Sequence, residues 1–99
     1  MEIRIQSINF DATEALKAHV EKKVNKLSHV CENIESVDVY LKVIKPETAQ
    51  NKDTEIKLHI PNAELFASKV ADTFEEGVDV SVEALEKQII KSKEKLRSK

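Results

Sequence analysis

Residues 37–43, VDVYLKV, place valine or leucine at every second position and polar side chains between them. This period of two predicts a strand over residues 35–44 with one buried face. Working outward, residues 2–8 alternate in the same way and predict an earlier strand. Ile56, Leu58 and Ile60 predict a third strand, and residues 64–70 predict a fourth with a less regular pattern.

Two segments follow a helical period instead. Asp11, with Glu14 three residues later, predicts a capped helix whose apolar side chains recur every three or four positions to about residue 31. Asp72 and Thr73 predict the cap of a second helix. Its apolar stripe comprises Phe74, Val78, Val82, Leu85, Ile89 and Leu96.

The order of elements is therefore β-α-β-β-β-α, which predicts a two-layer α+β fold. We expect a four-stranded mixed sheet with both helices packed on one face, in a single domain over residues 1–99. Residues 45–53, KPETAQNKD, predict a mobile hairpin loop, and residues 61–63 predict a turn. The other sheet face is predicted to be polar, with Tyr40 as its one exposed aromatic, which disfavours stacking of RNA bases on the sheet.

Composition limits the class of protein. Hydrophobic residues make up 40% of the chain and charged residues 34%, as in a small globular domain. A single cysteine, Cys31, excludes an intramolecular disulfide and favours a reducing compartment. Since the N-terminus lacks a signal-peptide pattern and no apolar run is long enough for a membrane span, we expect a cytoplasmic protein.

Charge is distributed unevenly along the chain. Residues 87–99 have a net charge of +5, whereas residues 1–86 have a net charge of −7. A basic segment of this kind favours a polyanionic partner such as RNA. It also fits a helix whose terminal lysines complement the helix dipole and remain in solvent, and the charge pattern alone leaves both interpretations open.

The basic residues have helical spacing. Lys87, Lys91 and Lys95 form one stripe of the second helix, and Lys93 lies on an adjacent stripe. The first helix has its own basic residues at Lys22, Lys23 and Lys26. If the two helices are neighbours, these side chains can join into one patch that binds phosphates and RNA shape rather than base sequence.

No catalytic or metal-binding motif accompanies this pattern. The histidines lack metal-ligand spacing, and Cys31 is expected to be a small buried hydrophobe. Gly77 is the only glycine, which excludes glycine-rich phosphate loops. Four acidic residues crowd the start of the second helix, where the helix dipole favours them without a cation. They are Asp72, Glu75, Glu76 and Asp79. We therefore expect no metal, no cofactor and no enzymatic activity.

Several segments in order resemble the short ribosome hibernation-promoting factors, also called ribosome-associated translation inhibitors or sigma-factor modulation proteins. The matching segments are TEALKAHVEKKVNKLSHV, VDVYLKV, IKLHIPNAELFAS and ALEKQIIKSKEKLR. The most specific part is Lys87 followed by K-x-K-x-K at Lys91, Lys93 and Lys95. One departure lies at residues 72–79, where the usual D-x-Y-x-A-I-D pattern carries Phe74, which lacks the tyrosine hydroxyl.

The resemblance implies the same β-α-β-β-β-α fold and binding to the small ribosomal subunit, in the channel for mRNA and tRNA. Translation would then be inhibited and the ribosome would hibernate, without a small-molecule substrate or a membrane. The implied rRNA contacts are Lys87, Lys91, Lys93 and Lys95, followed by Lys22, Lys23 and Lys26. Two alternatives remain open, a double-stranded-RNA-binding protein and a protein-interaction module that modulates transcription.

Overall fold

The computed structural model describes residues 1–44, 50–61 and 63–97, with side chains described as far as Ser92. The predicted order of elements is confirmed, and a short 3-10 turn, Lys26–His29, extends the first helix. The strands are β1 (Glu2–Ile8), β2 (Ser36–Val43), β3 (Lys52–Ile60) and β4 (Ala63–Ala71), and the helices are α1 (Glu14–Asn25) and α2 (Phe74–Arg97).

The predicted hairpin loop is shorter than residues 45–53. Lys52 and Asp53 already belong to β3, where they pair with Val43 and Lys42. Residues 45–49 and residue 62, on which the remaining loop and turn predictions fall, lie outside the described residues.

The four strands form one mixed sheet in the order β1-β2-β3-β4. β1 and β2 are parallel, whereas β3 is antiparallel to both β2 and β4. One row across the sheet joins Ile5, Val39, Ile56 and Ala67, and these side chains face the helices. Because β1, β2 and β4 point the same way, α1 and α2 both run back in the opposite direction and lie side by side.

The core lies between this row of strands and the two helices. Val20, Val24 and Leu27 of the first helix and its 3-10 turn are fully buried, and Val78 and Leu85 supply the same layer from α2. They pack on the inward residues of the central strands, of which the fully buried ones are Val37, Val39, Leu41, Ile56 and Leu58. The mixed two-layer architecture predicted from the periodicity is therefore confirmed.

The helix caps correct one prediction and confirm another. α1 is capped by Thr13, not Asp11, because Thr13 directly precedes the helix in an extended conformation and its hydroxyl accepts from the Leu16 N–H at 3.1 Å. The α-helix also ends at Asn25 rather than near residue 31. At α2, the Thr73 hydroxyl accepts from the Glu76 N–H at 3.2 Å, as predicted.

Gly77 allows α2 to pack closely on the sheet. A Cβ atom at this position would lie 2.5 Å from the Thr54 Oγ1 atom and 3.1 Å from the Thr54 Cβ atom. α2 continues through Gly77 without interruption. Glycine lowers the helix propensity at this position, but the close contact with β3 that it allows offsets this cost.

The start of α2 is fixed by an aromatic pair. Phe74 is buried and stacks on Phe10, with ring centroids 4.6 Å apart and an angle of 11° between the rings. Phe10 belongs to the segment between β1 and α1, so the pair ties the beginnings of both helices together. The missing hydroxyl of Phe74 is compatible with this site, since the ring is covered by another ring.

The sheet face opposite the helices is open, as predicted, but it carries a second exposed aromatic. Tyr40 is half-buried on β2, while Phe66 on β4 is 46% exposed. Both side chains point away from the helices, because Phe66 is in register with Lys57 and Tyr40 with Glu55. The prediction that Tyr40 would be the only exposed aromatic on this face is therefore wrong.

Candidate functional site

The basic residues of α2 lie on its outer surface. Lys87 and Lys91 are exposed and four residues apart, so they share one side of the helix. The backbones of Lys93 and Lys95 belong to α2, but their side chains lie outside the described residues. α2 has 24 residues and α1 has 12, so α2 is longer by about 18 Å at the helical rise.

The three lysines of the first helix differ in their surroundings. Lys22 and Lys26 are exposed. The Lys23 side chain is only 26% exposed, and its Nζ atom lies 3.6 Å from the Asp79 Oδ1 atom on α2. The His19 Nε2 atom lies 3.1 Å from the same carboxylate oxygen. Lys23 is therefore held in an ion pair between the helices, whereas Lys22 and Lys26 face solvent.

A groove of about 210 Å³ separates the two sets of lysines. Lys23 and Lys26 line its α1 side, and three carboxylates line its α2 side together with Val82. These are Asp79, Glu83 and Glu86, spaced four and three residues apart on the flank of α2 that faces α1. The described side chains consequently form two basic strips with an acidic row between them, rather than one continuous patch.

The open sheet face carries one group of paired opposite charges, around Asp38, and one pair of neighbouring carboxyl groups. The Arg4 Nε atom donates to the Asp38 Oδ1 atom at 2.6 Å, and the His59 Nε2 atom lies 2.9 Å from Asp38 Oδ2. Hydrogen bonding to Arg4 is the main cause that lowers the pKa of the Asp38 carboxyl group. Elsewhere on this face, a hydrogen bond to Asp53 raises the pKa of Glu55.

The acidic residues at the start of α2 have separate partners. The Asp72 Oδ1 atom accepts from the Gln50 N–H at 2.7 Å, while Asp79 points to α1. Within the described ranges, no group of three or more histidine, cysteine or acidic residues has the arrangement of a metal site. In the same ranges, no helix is long and apolar enough to cross a lipid bilayer.

These features define a class of protein, namely a small α+β domain that presents lysines on a long helix. The sequence profile of the family described as "Sigma 54 modulation protein / S30EA ribosomal protein" matches residues 3–97. The chain belongs to this family. The family assignment supports the expectation that the chain is not an enzyme.

Individual relatives agree with the family. The ribosome hibernation promoting factor of Azotobacter vinelandii is 32% identical over 95 residues, which cover 96% of this chain and 85% of that protein. The ribosome hibernation promoting factor of Escherichia coli (strain K12) is 31% identical over 97 residues, which cover 98% of each chain. The family resemblance inferred from the sequence segments is thereby confirmed.

A solved structure supports the fold. The structure of a ribosomal subunit interface protein from Coxiella burnetii matches with a TM-score of 0.83, over 94% of this chain and 98% of that chain. Sequence identity between the two is 22%, so the match establishes the shared α+β architecture.

Proposed function

We propose that this chain promotes ribosome hibernation in the cytoplasm by binding the small ribosomal subunit. Ribosome hibernation as the general role is supported by the family and by the names of its relatives from A. vinelandii and E. coli. The finer proposal is that the domain occupies the mRNA and tRNA channel and inhibits translation there. This finer proposal rests on two exposed lysines, Lys87 and Lys91, on α2 of a chain that belongs to the family.

The mechanism is competition for space, without a chemical step. Lysine ammonium groups neutralise rRNA phosphates and release counterions, which provides affinity without base recognition. The folded domain then fills volume that mRNA or tRNA needs. The acidic remainder of the chain is repelled by RNA, so it orients the domain with its basic strips towards the ribosome.

The contacts are assigned from exposure and spacing. Lys87, Lys91, Lys22 and Lys26 present their ammonium groups to solvent and are proposed to contact phosphate directly. Lys93 and Lys95 are included because they continue the basic segment of α2. Lys23 is proposed to contribute less than its neighbours, because Asp79 already holds its ammonium group.

The test is sedimentation of the protein with purified small subunits. Replacing Lys87, Lys91, Lys93 and Lys95 with alanine is expected to leave the fold intact and to abolish co-sedimentation. Substitutions at exposed positions such as Lys87 and Lys91 cost within about 0.5 kcal/mol of stability each. The matched control replaces lysines of the sheet, which lie away from the basic strips. These are Lys42 and Lys57, which lie on the open face with Tyr40 and Glu55.

Three outcomes are informative. Retained binding by the folded α2 variant refutes the proposal, as does an affinity that does not fall with salt, because phosphate neutralisation requires steep salt dependence. Loss of binding in the sheet variant as well indicates a nonspecific charge effect. Equal affinity for any RNA duplex favours a general double-stranded-RNA-binding protein instead.

A further inference from the structure

The two edges of the sheet differ in their protection. On β1, the open-face side chains are polar at Glu2, Arg4 and Gln6, and Arg4 is tied to Asp38. On β4, they include Phe66, which is 46% exposed. Charged side chains protect an edge strand from pairing with another chain, whereas an apolar edge strand invites such pairing.

β4 has the features of a pairing edge along most of its length. It is nine residues long, contains no proline and carries one acidic and one basic residue, Glu64 and Lys69. Val70, two positions beyond Ser68 on the same face as Phe66, is 39% exposed. Among the described side chains, Gln88 of α2 is the one that hydrogen-bonds to the main chain of β4, at the Phe66 carbonyl oxygen.

We propose that β4 pairs with β4 of a second copy of this chain, antiparallel and around a two-fold axis. Two four-stranded sheets then become one continuous eight-stranded sheet. A two-fold axis makes the contact self-complementary, so one strand supplies both halves of the interface. Lys87 and Lys91 lie on the flank of α2 that this pairing brings together, so the association would cover lysines that the proposed function assigns to rRNA. It does not rest on the proposed function, because it concerns the protein without the ribosome.

The side-chain pattern selects a register. Open-face residues must meet open-face residues, because a shift of one residue would turn every side chain to the other face. With Ser68 on the axis, Phe66 lies opposite the partner's Val70, and the aromatic–β-branched pair forms twice. With the axis at Ala67, Val70 would instead lie opposite Glu64 and the aromatic–β-branched pair would be lost. With the axis at Ser68, Glu64 lies opposite the partner's Asp72, which is just beyond the end of β4.

The helices add a second contact on the other side of the sheet. α2 covers β3 and β4. Neighbouring strands lie about 4.8 Å apart, and each α2 helix covers two strands. Two α2 helices on either side of the β4 pair are therefore separated by about two strand spacings, which is within the usual 8–10 Å of helix packing. The flank of α2 next to Gln88 carries Ala84 and Val80, which is 38% exposed, so small apolar side chains meet there.

Charge also favours the antiparallel arrangement. α2 begins with Glu75 and Glu76 and becomes basic from Lys87 onwards. When two such helices run antiparallel, the acidic first turn of one lies towards the basic half of the other. A parallel arrangement would instead bring like charges together, so the two-fold contact is electrostatically complementary.

The first experiment is sedimentation equilibrium of the full chain over a concentration series. The mass is expected to rise from 11.2 kDa towards twice that value with increasing concentration. Val70→Lys and Phe66→Lys are expected to stay at the single-chain mass at every concentration, because each places a charge in the paired strand. Ile44→Lys is the matched control, an apolar residue 41% exposed outside β4, and it is expected to associate like the parent protein.

The second experiment tests the register with cysteines in a Cys31→Ala background, which removes the one native thiol. Directly opposed residues of antiparallel strands have Cα atoms about 4.5–5.5 Å apart, which a disulfide can span. Ser68→Cys is expected to cross-link with itself upon oxidation. Phe66→Cys mixed with Val70→Cys is expected to give several-fold more cross-linked dimer than either variant alone, and Lys57→Cys on β3 serves as the control.

The outcomes separate the alternatives. If the parent protein is folded by circular dichroism and has the single-chain mass at all concentrations, the proposal is wrong. The exposed edge of β4 would then not be an interface between copies of this chain. A dimer that survives both lysine substitutions in β4, or that cross-links equally well through Lys57→Cys, places the interface elsewhere and also overturns it. Cross-linking at Ser68→Cys without concentration-dependent mass indicates random collision and counts against the proposal.

Discussion

Replacing Gly77 with alanine tests how closely α2 packs on the sheet. At an unconstrained interior helix position, alanine is more stable than glycine by about 1 kcal/mol. Here the new Cβ atom would lie 2.5 Å from the Thr54 Oγ1 atom, and Thr54 is fully buried. To make room for the methyl group, the buried Thr54 side chain must rotate or either α2 or β3 must shift.

The magnitude follows from these two opposing terms. Overpacking a core typically costs about 1–3 kcal/mol, and the gain in helix propensity offsets about 1 kcal/mol of it. We therefore expect Gly77→Ala to lower the free energy of unfolding by up to about 2 kcal/mol. For a domain of this size, each kcal/mol corresponds to a decrease of about 4–8 °C in the melting temperature.

A second background makes the test decisive. Thr54→Ala removes the Oγ1 atom and leaves the Cβ atom, 3.1 Å from the position of the new methyl group. In that background, Gly77→Ala is expected to be neutral or to stabilise by up to about 1 kcal/mol, because the helix-propensity term remains. The sign of the substitution thus changes between backgrounds, which a double-mutant cycle measures by urea unfolding.

Ala84→Gly in the same helix is the control for helix propensity, with an expected loss of about 1 kcal/mol. If Gly77→Ala stabilises the parent protein, or if its effect is the same with and without Thr54→Ala, the close contact between α2 and β3 is not what requires glycine. The argument for tight packing at this position would then be wrong.

Three further predictions concern charged groups. Arg4 lowers the pKa of the Asp38 carboxyl group in the native state. This carboxylate therefore stabilises the fold above its unfolded pKa of about 3.9, and the contribution is lost as the pH falls through the lower native pKa. Asp38→Asn should accordingly make the urea midpoint fall less steeply as the pH is lowered. Lys22→Ala should reduce the slope of log affinity for small subunits against log salt by roughly 0.7–0.9, because Lys22 is exposed and does not line the acidic groove. Lys23→Ala should leave that slope near the parent value, because Asp79 lies 3.6 Å from the Lys23 ammonium.

Much of the fold could be predicted from periodicity, because its elements have clear patterns. Residues 37–43 alternate without exception, and β2 runs from Ser36 to Val43 as expected. α2 could also be predicted, since its apolar stripe spans several turns and Gly77 interrupts only one position. Local patterns succeed where one face of an element is buried throughout its length.

Periodicity fails where both alternating positions are apolar. In β4, Leu65 and Ala67 form the inward set, but Phe66 and Val70 of the outward set are also apolar. An edge strand need not cover both faces, so the sequence alone does not show which set is exposed. The exposed Phe66 could not be predicted for this reason.

The arrangement of charges around the helices depends on contacts between distant parts of the chain. His19 and Asp79 are 60 residues apart in sequence, and only the packing of α1 beside α2 brings them together. The spacing of lysines predicts stripes on each helix separately. It does not reveal that the α2 flank facing α1 carries carboxylates. The spacing therefore suggests one patch, whereas the described side chains form two basic strips with an acidic row between them.

The acidic row has a consequence for how RNA can approach. A phosphate backbone lying along the groove between the helices would meet Asp79, Glu83 and Glu86 within a few ångströms, and this repulsion would offset attraction to Lys26. Phosphates are therefore expected on either side of the groove, near the outer side of α2 and near Lys22. Because neighbouring helices pack about 8–10 Å apart, the two basic strips suit separate phosphates of a folded RNA better than consecutive ones along a single strand.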